Sequence, residues 1–211
     1  MTLVTTYSQH SSSVYGLEWL DNDTLASGSS DLTIKLWSPT LGQTKRTIQT
    51  NQVVFSLKLL NTNIHLAAGV GNDINIYNIN DGNLVSSLKG HTWYVNDLVQ
   101  ISADLLACTS LDKTVRIWNL TTNTCKFNLT GHTSVYGLKQ ITTSILASGS
   151  VDTTIKLWNT TSGQLIRTLT GHTDYIFWSV DLLNSQTLVS GSGDQTIKLW
   201  NWSTGECLST I

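Results

Sequence analysis

One eleven-residue string governs what this chain can fold into. Ser-Gly-Ser-x-Asp-x-Thr-Ile-Lys-Leu-Trp occurs as SGSSDLTIKLW ending at Trp37, as SGSVDTTIKLW ending at Trp158 and as SGSGDQTIKLW ending at Trp200. Two degraded copies join them, CTSLDKTVRIW ending at Trp118 and a shortened AGVGNDINIY ending at Tyr77. The terminal aromatics stand 40, 41, 40 and 42 residues apart. A fixed period of this size marks a repeat architecture, in which no module stands alone and each is stabilised by lying against its neighbours. Such regularity reports on the scaffold more than on its cargo.

The fourth period, residues 131–170, divides into four extended segments. VYGLKQI alternates, and ILASGS follows a polar turn. A tight turn at Val151 and Asp152 leads into TTIKLW, rich in β-branched and aromatic residues. Turn-forming residues 159–163 then precede QLIRTLT. None of the copies carries a helical period. Four short strands per repeat predict an all-β chain, a β-propeller of five four-stranded blades. Both faces of a blade are then covered by neighbours, so Ile155 and Leu157 on one side and Thr154, Lys156 and Trp158 on the other are each partly apolar. The stems of Lys35, Lys156, Lys198 and Arg116 pack between blades while their charges reach water.

On these residues the chain resembles the WD-repeat family along essentially its whole length. Gly90-His91, Gly131-His132 and Gly171-His172 match the family's Gly-His pair. Asp31, Asp112, Asp152 and Asp194 match its turn Asp, and Trp37, Trp118, Trp158 and Trp200 its third-strand Trp. The resemblance implies hydrogen-bonded tetrads at His10/Ser27/Asp31/Trp37, His132/Ser148/Asp152/Trp158 and His172/Ser190/Asp194/Trp200. A buried indole, imidazole and carboxylate each need a partner, and such a chain supplies one to each. His91/Cys108/Asp112/Trp118 form a partial set, with a thiol where the hydroxyl belongs. The second repeat has Asn51, Ala68, Tyr77 and a turn, Gly71-Asn72-Asp73, that is one residue short, so no tetrad is expected there. Gln9 replaces the Gly before His10, and the family's namesake Trp-Asp pair is absent. Ser38, Asn78, Asn119, Asn159 and Asn201 follow the aromatics instead, and both residue types suit the start of a turn.

The repeats run approximately over 9–49, 50–89, 90–130, 131–170 and 171–211, and read as one WD-repeat domain across 1–211. Residues 2–8 read as an extra outer strand, and ECLSTI at 206–211 as another. A self-closing ring uses the N-terminal outer strand to complete its last blade, but here that place is already claimed. Sequences of this type close with about seven blades at roughly 51° each, so five leave a gap of roughly 100°. The chain is therefore predicted to be an open or incomplete ring. It is either an arc of a longer array or one completed by another chain, with self-association through its open end blades.

Charged residues make up only 12% of the 211, and the net charge is −2, which argues against a nucleic-acid footprint. MTLVTTYSQHSSS has neither the basic nor the apolar region of a signal peptide, and no apolar run is long enough to span a bilayer. A cytoplasmic location without membrane contact is expected. Cys108, Cys125 and Cys207 lack metal-ligand spacing and read as reduced core thiols. The sequons at Asn22, Asn119, Asn128, Asn159 and Asn201 follow from repeat copying as easily as from glycosylation, and His65, the one His off the repeat, reads as a surface residue. A His–Asp–Ser set looks like a hydrolase triad, but here it recurs with a Trp attached, as core structure does. No phosphate loop or metal motif occurs. No catalytic, cofactor or metal site is predicted.

Function then falls to the surface. The resemblance implies that the loops bearing Gly-His and Asp form a docking face for peptides and domains. Its variable positions are Tyr15, Phe55, Asn96, Tyr136 and Trp178, with Tyr94 and Ile176 two residues earlier in their repeats. Aromatics there suit interface hot spots; alternatively, they wall a central channel and contact nothing. Ser30, Leu111, Val151 and Gly193, which precede the turn Asp residues, add little charge, so phosphopeptide recognition through an Arg cluster is disfavoured. The reading is a non-catalytic protein-interaction scaffold. The alternatives are an adaptor or substrate-receptor subunit of a larger complex, and a truncated or recently duplicated array with no settled partner. The near-identity of repeats one, four and five favours duplication, whereas variation along the aromatic series favours a selected partner.

Overall fold

The computed structural model describes the chain except for residues 1–5, Tyr7 and Trp178. The extra outer strand expected at 2–8 thus lies outside the described residues, apart from Thr6 and Ser8. Twenty strands form five four-stranded antiparallel sheets, and no helix occurs among the described residues. The first sheet holds β1 (Val14–Asp21), β2 (Thr24–Ser29), β3 (Thr33–Ser38) and β4 (Gln43–Gln49). The second holds β5 (Val54–Leu59), β6 (His65–Val70), β7 (Asp73–Asn78) and β8 (Leu84–Leu88). The third holds β9 (Val95–Ser102), β10 (Leu105–Ser110), β11 (Val115–Asn119) and β12 (Thr124–Leu129). The fourth holds β13 (Val135–Thr142), β14 (Ile145–Ser150), β15 (Ile155–Asn159) and β16 (Leu165–Leu169). The fifth holds β17 (Val180–Leu182), β18 (Thr187–Gly191), β19 (Ile197–Asn201) and β20 (Cys207–Thr210). Within each sheet the strands lie in chain order, so one period of the sequence makes one sheet. Two compact units make up the chain, residues 1–98 and 99–211, with the boundary inside β9.

The repeated string dictates the turn between the second and third strands of a sheet. In four sheets the residue after the turn Asp adopts a left-handed conformation, with φ of 65° at Leu32, 77° at Lys113, 69° at Thr153 and 68° at Gln195. The Asp makes this tolerable by accepting two hydrogen bonds on Oδ1 from the Thr two residues on. At Asp31 these come from the Thr33 amide (3.0 Å) and hydroxyl (2.6 Å). The shorter turn of the second sheet uses Gly71 at φ 59°, a position where glycine carries no steric penalty. Beyond the terminal aromatic, Asn fills the role of the missing Asp. Asn159 Oδ1 accepts the amides of Thr161 (2.8 Å) and Ser162 (3.0 Å), and Asn201 Oδ1 those of Ser203 (3.0 Å) and Thr204 (3.1 Å). A register shift sits beside the aromatic in each sheet, between Leu36 and Trp37 and again between Leu157 and Trp158, which sharpens the local twist.

Apolar packing runs between sheets, with one face of a sheet meeting the opposite face of the next. In residues 1–98, Ala26, Ile34, Leu36 and Ile48 of the first sheet are buried with Val54, Leu57, Leu66 and Tyr77 of the second. In residues 99–211, Ala107, Val115, Ile117 and Leu129 meet Val135, Leu138, Leu146 and Trp158. Ala147, Ile155, Leu157 and Leu169 meet Ile176, Val180, Leu188 and Trp200 in the same way. The cysteines divide, and this corrects the core reading for two of them. Cys108 is buried, but Cys125 and Cys207 are exposed, because they lie on the outermost strands, β12 and β20, where no further strand covers them. Lys35, Lys156 and Lys198 donate across the sheet to Thr47 (3.2 Å), Thr168 (3.2 Å) and Thr210 (2.8 Å).

The glycine of Ser-Gly-Ser is where the sheets come closest. A Cβ on Gly149 would meet Ile176 Cγ2 at 2.7 Å and Val180 Cγ2 at 2.8 Å. Gly149→Ala should therefore force the fourth and fifth sheets apart and destabilise the chain by about 1–3 kcal/mol. Thermal or denaturant melting followed by far-UV circular dichroism measures this, and an unchanged midpoint would refute the close-approach argument.

Candidate functional site

Three tetrads link the turn Asp to the terminal Trp. In the first sheet, the Trp37 indole N–H donates to Ser27 Oγ (2.6 Å), Ser27 Oγ lies 2.7 Å from His10 Nε2, and His10 Nδ1 lies 2.7 Å from Asp31 Oδ2. In the fourth, the corresponding distances for Trp158–Ser148–His132–Asp152 are 2.8, 2.9 and 2.7 Å. In the fifth, those for Trp200–Ser190–His172–Asp194 are 2.8, 2.8 and 2.7 Å. The chemistry fixes the polarity of each chain. A carboxylate only accepts, so Nδ1 carries a proton toward the Asp, and at the other end the Ser oxygen accepts from the indole. The second carboxylate oxygen holds the turn Thr, and Oδ2 also accepts the amide of the residue after the His: Ser11 (3.0 Å), Thr133 (3.1 Å) and Thr173 (3.0 Å).

Burial works to raise these carboxyl groups, but the hydrogen bonds outweigh it and hold all three well below the usual carboxylate range. The donors are Thr33, His10 and Ser11 at Asp31, His132 and Thr154 at Asp152, and Thr196, Thr173 and His172 at Asp194. Ser27, Ser148 and Ser190 are buried, and each hydroxyl oxygen is already occupied by an indole N–H. Among the described residues, no group of three His, Cys, Asp or Glu side chains is arranged to hold a metal ion.

The other two repeats differ. In the third sheet, the Trp118 indole donates to Cys108 Sγ at 3.2 Å, a weaker acceptor. Asp112 Oδ1 still accepts from the Thr114 amide (3.0 Å) and hydroxyl (2.6 Å), and His91 is buried. In the second sheet, Ala68 lies where the Ser stands elsewhere. The Tyr77 hydroxyl accepts from Asn75 Nδ2 at 3.2 Å instead, and burial pushes its pKa above the usual phenol value.

Aromatics at or near the starts of the first strands gather into one cluster in each unit, while the exposed Trp19 stands apart from them. In residues 1–98, Tyr15, Phe55 and Tyr94 form a tilted stack with ring centroids 5.1 and 4.9 Å apart. Trp93 meets Tyr94 edge-on at 6.4 Å. In residues 99–211, Phe177 takes edge contacts from Tyr136 at 4.9 Å and Tyr175 at 5.7 Å. Tyr15, Trp93, Tyr94, Tyr175 and Phe177 are exposed, while Phe55 and Tyr136 are half-buried.

Two of the candidate docking residues are not surface groups. Ile176 is fully buried because it fills the space over Gly149, the place that Val54 takes over Gly28. Asn96 follows the buried Val95 into β9 and is itself buried. Trp178 lies outside the described residues. Phe177 escaped the sequence alignment because the fifth repeat carries one more residue between Ile176 and Val180 than the fourth does between Val135 and Leu138, and Trp93 and Tyr175 lie before the positions the alignment compared. Anchoring the alignment on the aliphatic residue opposite each glycine would have found Phe177.

Comparison with known proteins agrees with this arrangement. The family model WD40 (WD domain, G-beta repeat) matches residues 1–38, 82–119, 123–159 and 163–201. The unmatched stretch contains Tyr77 and the shortened turn. The chain is 28% identical over 138 residues to the ribosome biogenesis protein WDR12 homolog of Culex quinquefasciatus, covering 62% of this chain and 32% of that protein. It is 34% identical over 119 residues to the WD repeat-containing protein 89 homolog of Dictyostelium discoideum, covering 51% of this chain and 33% of that one. It is 32% identical over 122 residues to the nuclear distribution protein PAC1 of Gibberella zeae, covering 51% and 26%. The chain thus spans about a third of the length of the curated relatives it matches. Among solved structures, the WD40 beta propeller domain of Doa1 superposes with a TM-score of 0.82 at 25% identity, over 96% of this chain and 70% of that one.

Removing a hub carboxylate leaves a buried imidazole N–H without its acceptor, so Asp152→Ala should lower stability by about 1–3 kcal/mol. Asp73→Ala, in the sheet without a tetrad, should cost much less, and equal losses in melting experiments would undo the tetrad account. The pH dependence has a definite sign. Carboxylates held below their ordinary value of about 3.9 add stability that is present above that pH and is lost as pH falls through the lowered value. The melting midpoint should therefore drop on acidification below about pH 4. Asp152→Asn should flatten that drop.

Proposed function

The chain belongs to the WD40 repeat family, and from that premise we propose that it is a non-catalytic protein-interaction scaffold whose surface aromatics dock peptides or protein domains. Propellers of this family generally serve as interaction platforms rather than catalysts. The observation that carries the reading is the stack of Tyr15, Phe55 and Tyr94, with Trp93 beside it. Rings held against one another in an exposed row present a large apolar area at little entropic cost on binding. Tyr136, Phe177 and Tyr175 offer a second such surface. Twelve Lys and Arg against fourteen Asp and Glu favour protein or peptide ligands over nucleic acid. In this reading the five repeats act as one WD-repeat domain across 1–211.

The test is peptide-display selection against the whole chain, followed by titration of the recovered sequences. Tyr15→Ala/Tyr94→Ala and Tyr136→Ala/Phe177→Ala should each preserve the circular dichroism spectrum. One of them should weaken binding by about 30-fold or more. Ligands that bind both double variants as tightly as the parent would show that the docking surface lies elsewhere.

A further inference from the structure

The end sheets expose apolar positions that are buried everywhere else in the repeat. Ile155 and Leu169 of the fourth sheet are 0% and 1% exposed, but their counterparts in the fifth, Ile197 and Ile211, are 46% and 72% exposed. Val54 and Leu57 of the second sheet are 0% and 6% exposed, but Val14 and Leu17 of the first are 45% and 62% exposed. The first pair belongs to the face that meets a following sheet, and the second to the face that meets a preceding one. The chain therefore carries both halves of one more interface of the kind it already builds internally.

The glycine position makes the match specific. A Cβ on Gly28 would strike Val54 Cγ1 at 2.4 Å, and one on Gly149 would strike Ile176 at 2.7 Å. At Gly191 the nearest atom is Ser179 Cβ, of its own sheet, at 3.4 Å, an ordinary contact. The slot that elsewhere receives a β-branched side chain is vacant, and it forms a hollow lined by Phe177, Ser179, Gly191, Gln195 and Ile197. Its proper occupant is a Val or Ile at the start of a first strand. Val14 is that residue, and it is exposed.

We infer that two copies of this chain associate head to tail. Val14 and Leu17 of one copy cover Gly191 and Ile197 of the next. The slot borders Phe177 of the second aromatic cluster, but the contact turns on Val14, Leu17, Gly191 and Ile197 and does not rest on the docking reading above. Because it joins two different surfaces, each dimer keeps one free face of each kind, and the series stays open unless it closes into a ring.

Sedimentation velocity of the whole chain over a wide concentration range tests this, with two variants that block opposite faces. Gly191→Val fills the slot in a place where the free chain has room for it, and Val14→Asp charges the residue meant to enter. The parent should sediment faster as its concentration rises. Each variant alone should weaken association by about 30-fold or more. Mixed in equal amounts, the two variants should form a dimer that grows no further, since one supplies a free Val14 and the other a free slot. Melting curves establish that both are folded; should Gly191→Val melt early, Ile197→Lys blocks the same face. A parent that stays monomeric at every concentration overturns the inference. Association that survives Gly191→Val or Val14→Asp also overturns it, as does a mixture that fails to pair.

Discussion

A β-branched side chain reaching across to a glycine is the contact on which three of the junctions between successive sheets depend. Val54 seats over Gly28, Val95 over Gly69 and Ile176 over Gly149. Glycine inside a strand is otherwise a liability, with high chain entropy to lose and no side chain to pack. It persists at these three places because a Cβ there would strike the side chain or backbone seated over it, whereas the third sheet has Thr109 at this position and reaches the fourth by donating its hydroxyl to the Tyr136 carbonyl (3.0 Å). Once that approach is made, the flanking Ala, Ile and Leu residues of one sheet reach the Val, Leu and aromatic residues of the next, and both faces become buried. The cost of this arrangement is dependence, because no sheet has a core of its own.

Seen this way, each residue of the repeated string has one task. The first Ser of Ser-Gly-Ser joins the indole to the imidazole, and the Gly admits the next sheet. The second Ser accepts the turn Asp amide and donates to a carbonyl in the preceding loop, as Ser150 does with Asp152 (3.1 Å) and Ser134 (2.9 Å). The Asp ties that same loop down through the His and the following amide while bracing the turn through its Thr. Apolar closure on one side of the strand and polar closure on the other are thus written into alternate residues of one segment. This explains why loss of the Ser at Ala68 goes together with a different terminal aromatic and a different turn in the second repeat.

The fold was legible because both its period and its chemistry repeat. Four strands per module could be read from alternation and turn residues, and the tetrad partners from the positions at which the chain resembles the WD-repeat family. Residues outside the string were harder. Ile176 and Phe177 were misplaced because a single inserted residue moved the aromatic off its expected register, and only packing against Gly149 shows which side chain turns inward. Cys125 and Cys207 looked like core residues by repeat position, yet outermost strands have no neighbour to bury them. Asn96 stands in an otherwise aromatic series, and its burial depends on its surroundings rather than on its own polarity.

The repeat rule also separates two kinds of exposed apolar residue that composition cannot tell apart. Leu17, Ile197 and Ile211 have buried counterparts in the other sheets, so their exposure reflects their place in the array and not their place in the module. Any neighbouring sheet of the same kind would remove it. Tyr15 has no buried aromatic counterpart: Asn96 is buried in the third repeat, but Phe55 and Tyr136 are only half-covered and Phe177 is exposed. Here exposure belongs to the module itself, and adding sheets would not change it. The first kind is a surface waiting for more of the same scaffold, and the second is a surface the scaffold leaves open.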